Sequence, residues 1–185
     1  MKKKILIILG IIVGFIVVYL LFQHVVLKMI YPKKYSEYVY KYSQENEVDP
    51  LLVFAIIKAE SDFKSDALSK SGAIGLMQLM PETAEEILNE IGIELKYDDE
   101  LYDEEKNIKV GTKYYAFLNE KYNGKIELAL AAYNAGIGNV NKWIEEGIIS
   151  KDGSNIENIP YKETNNYVRK ILRDYAIYRN LYKEK

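Results

Sequence analysis

Asp49-Pro50 is followed by seven apolar residues in a row, Leu51 to Ile57, and then by Lys58-Ala59-Glu60. An acid followed by proline is a helix start: the carboxylate accepts a first-turn N–H, and proline lacks an N–H that the helix would leave unpaired anyway. A helix that is apolar on every side has no face to give to water. The rest of the chain must therefore wrap around this segment, and the buried segment ends on a carboxylate. Ile57, Ile56 and Val53 lie at i−3, i−4 and i−7 from Glu60, on its own face. The helix C-terminus also disfavours negative charge. Desolvation and the helix dipole both raise a carboxyl pKa, and a raised pKa suits a general acid near neutral pH. A solvated glutamate at a helix end is the commoner case, so from these residues alone both readings stand.

The remaining pattern is helical. Tyr35, Tyr38, Val39 and Tyr42 follow i, i+3, i+4, i+7 spacing and predict a short helix. A second begins near Pro81, with Ala84, Ile87, Leu88 and Ile91 as its apolar stripe and Gly92 as its stop. The acidic stretch Asp98 to Glu105 reads as a solvated loop, since it lacks the calcium-loop spacing. It leads into a helix to about Tyr122, with Val110, Tyr114, Phe117 and Leu118 expected to face inward. Ile126, Ala129, Leu130 and Tyr133 mark a further helix that stops at Gly136, and Val140, Trp143 and Ile144 mark another. Glu146 to Ile159 is irregular, with a small hairpin possible at Asp152-Gly153. A last helix spans about Tyr161 to Tyr182. The expectation is a mostly α domain of six or seven short helices.

Ile5 to Phe22 is an uncharged apolar run of 18 residues. As a helix it reaches about 27 Å, close to the thickness of a bilayer's hydrocarbon core. It is longer than a usual signal-peptide core and no small-residue cleavage site follows. It is therefore expected to be an uncleaved transmembrane anchor. Lys2 to Lys4 should stay cytoplasmic, which places the rest outside the cell membrane. The expected division is residues 1–30 as lysine cluster and anchor, and 31–185 as the folded domain. Tyr31 to Lys34 leaves only a short linker between them.

Composition removes several chemistries. The chain has no cysteine, and His24 is its only histidine, beside the apolar run. Thiolate, Ser-His-Asp and histidine-zinc sites are excluded as expectations. With Lys2, Lys3, Lys4 and Lys28 set aside, acids clearly outnumber bases, which argues against nucleic acid as a partner. Gly72-x-x-Gly75 and Gly136-x-Gly138 do not complete a nucleotide loop, and close backbone packing is the simpler account of them. Carboxylates, tyrosines and amides are left to carry any reaction.

Three motifs stand in order. The first is Glu60-Ser61-x-Phe63 with Ala67-x-Ser69-x-x-Gly72-Ala73-x-Gly75-Leu76-Met77-Gln78-x-x-Pro81-x-Thr83. The second is Ala132-Tyr133-Asn134-Ala135-Gly136, and the third Pro160-x-x-Glu163-Thr164-x-x-Tyr167-Val168. Together they resemble the lytic transglycosylases related to the catalytic domain of the soluble lytic transglycosylase. Ser65 stands where that family often has proline. The resemblance covers most of the chain after the apolar run. It implies a lysozyme-like helical fold of the goose type after one N-terminal transmembrane helix.

The same resemblance implies the activity: cleavage of the β-1,4 bond between N-acetylmuramic acid and N-acetylglucosamine in peptidoglycan, leaving a 1,6-anhydro end. It makes Glu60 the single catalytic acid/base. Met77, Gln78, Tyr133, Asn134 and Glu163 become residues of the sugar cleft, joined by Ser69. For Glu163, a helix-start carboxylate favoured by the dipole is an equal alternative. No metal or organic cofactor is implied. The implied partners are glycan strands and, through the apolar helix, the membrane. Two alternatives remain at this stage. One is a muramidase that uses water on the same fold; the other is a non-catalytic, membrane-tethered wall-binding protein.

Overall fold

A computed structural model describes residues 2–90, 92 and 94–182. Its helices are α1 (Lys2–Ile30), α2 (Ser36–Glu45), α3 (Pro50–Glu60), α4 (Pro81–Glu90), α5 (Glu104–Lys121), α6 (Ile126–Ala135), α7 (Ile137–Glu145) and α8 (Lys162–Leu181). Two 3-10 helices, Asp98–Tyr102 and Ile156–Asn158, sit between them.

The apolar segment behaves as its composition requires. The Leu51 N–H donates to the Asp49 carboxylate at 2.8 Å, and Pro50 opens α3. Leu52 to Ile57 are all buried. α3 packs chiefly on α8 and also on α2; α8 packs in turn on α6, α2 on α5, and α5 on α6. Each large apolar side chain removed from water this way contributes roughly 1.5–3 kcal/mol before chain entropy is counted, so α3 is the principal anchor of the core.

The segment from Ser61 to Met80 returns over the end of α3 without regular strands. Isolated bridges join Leu68 to Ile74 and Ile74 to Leu79. Asn107 of α5, fully buried, fixes this loop. Its amide accepts from the Met77 N–H at 2.8 Å and donates to the carbonyls of Ile74 at 3.0 Å and Leu101 at 2.8 Å. Gly75 lies between these groups at φ +76°, and a Cβ there would fall 2.4 Å from Asn107 Nδ2 and 2.6 Å from the Leu101 carbonyl. Close packing thus explains Gly75. It does not explain Gly72 (φ +93°), Gly136 (φ +84°) or Gly138, all of which have open space around them. At Gly72 and Gly136 the left-handed backbone is the reason for glycine.

Other expectations are corrected in detail. The acidic stretch is no solvated loop throughout: it turns through a 3-10 helix that buries Leu101, and Glu105 accepts from Lys41 Nζ and the Tyr42 hydroxyl, both at 2.7 Å. Phe117 is 40% exposed, while Tyr115 is buried in its place. α5 is covered by α2, α4 and α6 together, so its buried stripe is wider than one face and turns towards Tyr115. The Asp152 carboxylate accepts from the N–H and hydroxyl of Ser154, a side-chain turn that replaces the hairpin. No strand pair forms there among the described residues. Ile91, expected on the stripe of α4, lies outside the described residues.

α1 contains a segment, Ile12–Ile30, long and apolar enough to cross a membrane, with none of it buried in the protein. The linker after it is docked rather than free. The Tyr31 hydroxyl donates to Asp174 Oδ1 at 3.2 Å, the Tyr178 hydroxyl to the Pro32 carbonyl at 2.8 Å, and the Tyr182 hydroxyl to the Tyr31 carbonyl at 2.7 Å. Asp174 is buried, and Arg173 completes its shell with two contacts at 2.9 and 3.0 Å. Asp174, Tyr178 and Tyr182 are spaced by four residues, so a single face of α8 holds the linker.

Candidate active site

Glu60 closes α3, and three neighbours define the site around it. The Tyr167 hydroxyl, from α8, donates to Glu60 Oε1 at 2.5 Å. Lys170, one turn further along α8, donates through Nζ to the Ala59 carbonyl at 3.1 Å. This cation on a C-terminal carbonyl opposes the negative end of the helix dipole. Ser61, just past the helix, donates to the Leu76 carbonyl at 2.8 Å and ties the following loop to the helix end.

The carboxyl keeps part of its surface open but is crowded by protein atoms. Desolvation pushes its pKa up to about 7. The hydrogen bond from Tyr167 and the charge of Lys170 pull it down, and the charge of Glu163 adds a smaller upward push. Desolvation is the largest of these effects, and it sets the direction of the shift. Tyr167 and Tyr133 are both held well above the ordinary tyrosine value, first by burial and then by the charge of Glu60. They are neutral hydroxyl donors at any physiological pH.

The residues singled out in the sequence fall into two groups. Tyr133 and Glu163 lie within electrostatic reach of Glu60. Tyr133 donates to the Met77 carbonyl at 2.9 Å and packs its ring 5.2 Å from that of Tyr114. Asn134 follows on α6 and accepts from the Thr164 hydroxyl at 2.7 Å, which joins the second motif to the third. The other group sits in the loop. The Met77 side chain has no exposed surface; it packs on Gly111, where a Cβ would meet its sulfur at 2.5 Å. Gln78, at φ +47°, donates through Nε2 to the Gly75 carbonyl at 2.9 Å. The Ala73 N–H donates to the Ser69 hydroxyl at 2.9 Å. Ser69 and Gln78 thus both stiffen the loop from within.

Sequence reasoning does not place Tyr167 among the site residues, yet its hydroxyl bonds Glu60 directly. The signal was present: Glu163 and Tyr167 are four residues apart in one motif, which places them on one helix face. Asn107 had no such signal, because a buried asparagine in a helix looks like any other polar position.

A mostly helical domain in which a desolvated glutamate closes a buried helix is of the lysozyme-like class. A family model described as the transglycosylase SLT domain matches residues 37–154. The chain belongs to this family. The soluble lytic murein transglycosylase of Salmonella typhimurium is 31% identical over 157 residues, covering 84% of this chain and 24% of that protein. Membrane-bound lytic murein transglycosylase C of Edwardsiella ictaluri is 37% identical over 116 residues, covering 58% of this chain and 32% of the relative. Among solved structures, an inactive Glu-to-Gln mutant of the lytic transglycosylase Slt from Pseudomonas aeruginosa superposes with a TM-score of 0.77 at 36% identity, covering 83% of this chain and 25% of that one. The chain thus spans about a quarter of the length of its soluble relatives.

Proposed function

We propose that this protein is a membrane-anchored lytic transglycosylase of peptidoglycan with Glu60 as its only acid/base. The observation that carries the reading is the carboxyl itself: mostly buried with part of the residue still open, desolvated to a pKa of about 7, and gripped through one oxygen by Tyr167. On this reading the other oxygen serves the substrate. Protonated Glu60 gives its proton to the glycosidic oxygen between N-acetylmuramic acid and N-acetylglucosamine. The substrate's own N-acetyl oxygen stabilises the positive charge that develops at the anomeric carbon. Glu60, now a carboxylate, removes the proton from the muramic C6 hydroxyl, which attacks the same carbon and closes the 1,6-anhydro ring. An internal nucleophile gains effective concentration and needs no bound water. The Tyr167 hydrogen bond steadies the carboxylate half of the cycle, and desolvation steadies the acid half.

Tyr133, Asn134 and Glu163 are proposed to line the substrate side of Glu60. Ser69, Met77 and Gln78 shape the loop that borders it, Met77 through the carbonyl that receives Tyr133. The Glu-to-Gln substitution of the inactive Pseudomonas relative supports a glutamate in the decisive role. For the anchor, the support is the unburied apolar segment of α1 and the likeness to a relative named as membrane-bound. On this reading residues 1–30 hold a single-pass anchor with its lysines in the cytoplasm, and residues 31–185 act outside.

The test is digestion of purified peptidoglycan by the full chain in detergent, with mass analysis of the glycan ends. Ends one water lighter than hydrolysed muramic acid are expected, and Glu60→Gln should produce none while retaining its helical content. Hydrolysed ends alone would replace this reading with a muramidase. Lysis by Glu60→Gln would remove Glu60 from the mechanism.

A further inference from the structure

Four residues of α8, Asn166, Arg169, Lys170 and Arg173, line one open concavity of about 540 Å³. Their i, i+3, i+4, i+7 spacing puts them along one side of the helix. We propose that this cationic stripe is a docking face for anionic phospholipid headgroups of the membrane that α1 enters. The proposal rests on the reading of α1 as an anchor.

Its position comes first. The Arg173 guanidinium sits on Asp174, and the same Asp174 oxygen receives the hydroxyl of Tyr31, the residue directly after α1. The stripe therefore starts one bridging side chain, Asp174, away from the point where the anchor ends. Arg169 follows about 6 Å further along α8, within the screening length of about 8 Å at physiological salt. Free charge is the second point. Among the described residues Arg169 has no ion-pair partner. Lys170 donates to the Ala59 carbonyl and its charge also reaches Glu60, so it is only partly free. Asp174 offsets part of Arg173, and Glu163 lies about two turns from Lys170 at the start of α8. This excess of positive charge stands out on a chain with more acids than bases.

The surroundings match the headgroup level of a bilayer. Lys33 lies 5.2 Å from the ring of Tyr40 and 4.7 Å from that of Tyr182, and Lys28 lies 5.7 Å from the latter. Tyrosines and lysines with an apolar body and a polar tip collect where lipid meets water. The stripe is open and built from long side chains, without backbone N–H groups converging on one point. It suits several mobile headgroups rather than one tightly held free anion. The same helix carries Tyr167 to Glu60, so headgroups held at the stripe would fix the height and tilt of Glu60 above the membrane.

The chain has no cysteine, so Asn166→Cys can carry a single fluorophore on the full-length protein. The labelled protein is reconstituted in vesicles of phosphatidylcholine alone or mixed with phosphatidylglycerol, each with a quencher at the headgroup level. Quenching at least about twofold stronger in the anionic vesicles is expected, falling back in high salt. Adding Arg169→Glu, an exposed change, should abolish the difference while circular dichroism stays unaltered. Equal quenching in both vesicles, or a difference that survives Arg169→Glu, overturns the proposal. So does inorganic phosphate that erases the difference when chloride of equal ionic strength does not, since the stripe would then be a free-phosphate site. Flotation separates the two readings. Protein that floats with both vesicles but is quenched equally loses the headgroup face alone; protein that floats with neither loses the anchor and this face together.

Discussion

Replacing Glu60 by glutamine is expected to make the protein more stable, and only at higher pH. Glu60 has a folded-state pKa of about 7 against 4.5 for an ordinary glutamate. Below pH 4.5 the group is protonated in both the folded and the unfolded chain, and its ionisation contributes nothing. Between pH 4.5 and 7 the unfolded chain loses the proton while the folded one keeps it, so stability falls as pH rises. Above pH 7 both are ionised and the loss is constant. At about 1.4 kcal/mol per pKa unit the full loss is about 3 kcal/mol. Solvent reaching the open side of the carboxyl screens part of it, leaving about 2 kcal/mol. Glutamine keeps an oxygen to accept from Tyr167 and carries no charge. Thermal unfolding of the full chain in detergent, followed by circular dichroism across pH 4.5 to 9, measures the difference. The gap between variant and parent should be near zero at pH 4.5 and grow to about 5 °C above pH 7 for a protein of this size. A gap that does not change with pH, or a variant less stable at pH 8, would refute the argument that desolvation dominates at Glu60.

Tyr167→Phe removes a bond that favours the ionised carboxylate, so the Glu60 pKa should rise. In a pH–rate profile of peptidoglycan cleavage the alkaline limb should move to higher pH while the maximal rate drops. An unmoved limb would mean that Tyr167 does not act through Glu60. The glycines offer a matched pair. Gly75→Ala combines a left-handed backbone with a Cβ overlapping Asn107 and Leu101, and should lose more than about 2 kcal/mol in urea unfolding. Gly72→Ala, with open space around it, should lose only about 1 kcal/mol. Equal losses would show that the Asn107 clamp gives way freely.

Much of this molecule was legible because its strongest signals are local. Asp49-Pro50 and the apolar run after it specify a capped, buried helix with no further information. Glu60 could be singled out because it ends that helix. What stayed hidden was pairing across distance. Phe117 and Tyr115 differ by two positions on α5, and which of them turns inward depends on three helices covering one. Asn107 looks like an ordinary polar residue until the loop from Ile74 to Met77 lies against it. The Tyr167 contact bridges residues 107 apart in the chain, which no periodicity reports. The hydrogen bonds that tie Ser69 and Gln78 to backbone groups of their own loop are likewise not reported by their place in a motif.

α8 joins these separate facts into one mechanical argument. Tyr167 near its start meets Glu60, and Asp174, Tyr178 and Tyr182 further on hold the residues that follow α1. Seven residues separate the two contacts, about 10 Å of helix. A helix that short, packed along the buried α3, has no soft joint between its two ends. Any force or tilt that the apolar segment transmits through Tyr31 and Pro32 therefore arrives at the tyrosine that grips the carboxyl. If α1 is an anchor as proposed, a flexible tether would let the domain turn freely above the membrane, and a docked one makes its orientation a property of the fold. Loosening the collar, by replacing Asp174 or the tyrosines that clasp Tyr31 and Pro32, would separate reach from chemistry. Soluble glycan fragments would still be cut, and only substrate fixed relative to the membrane would register the loss.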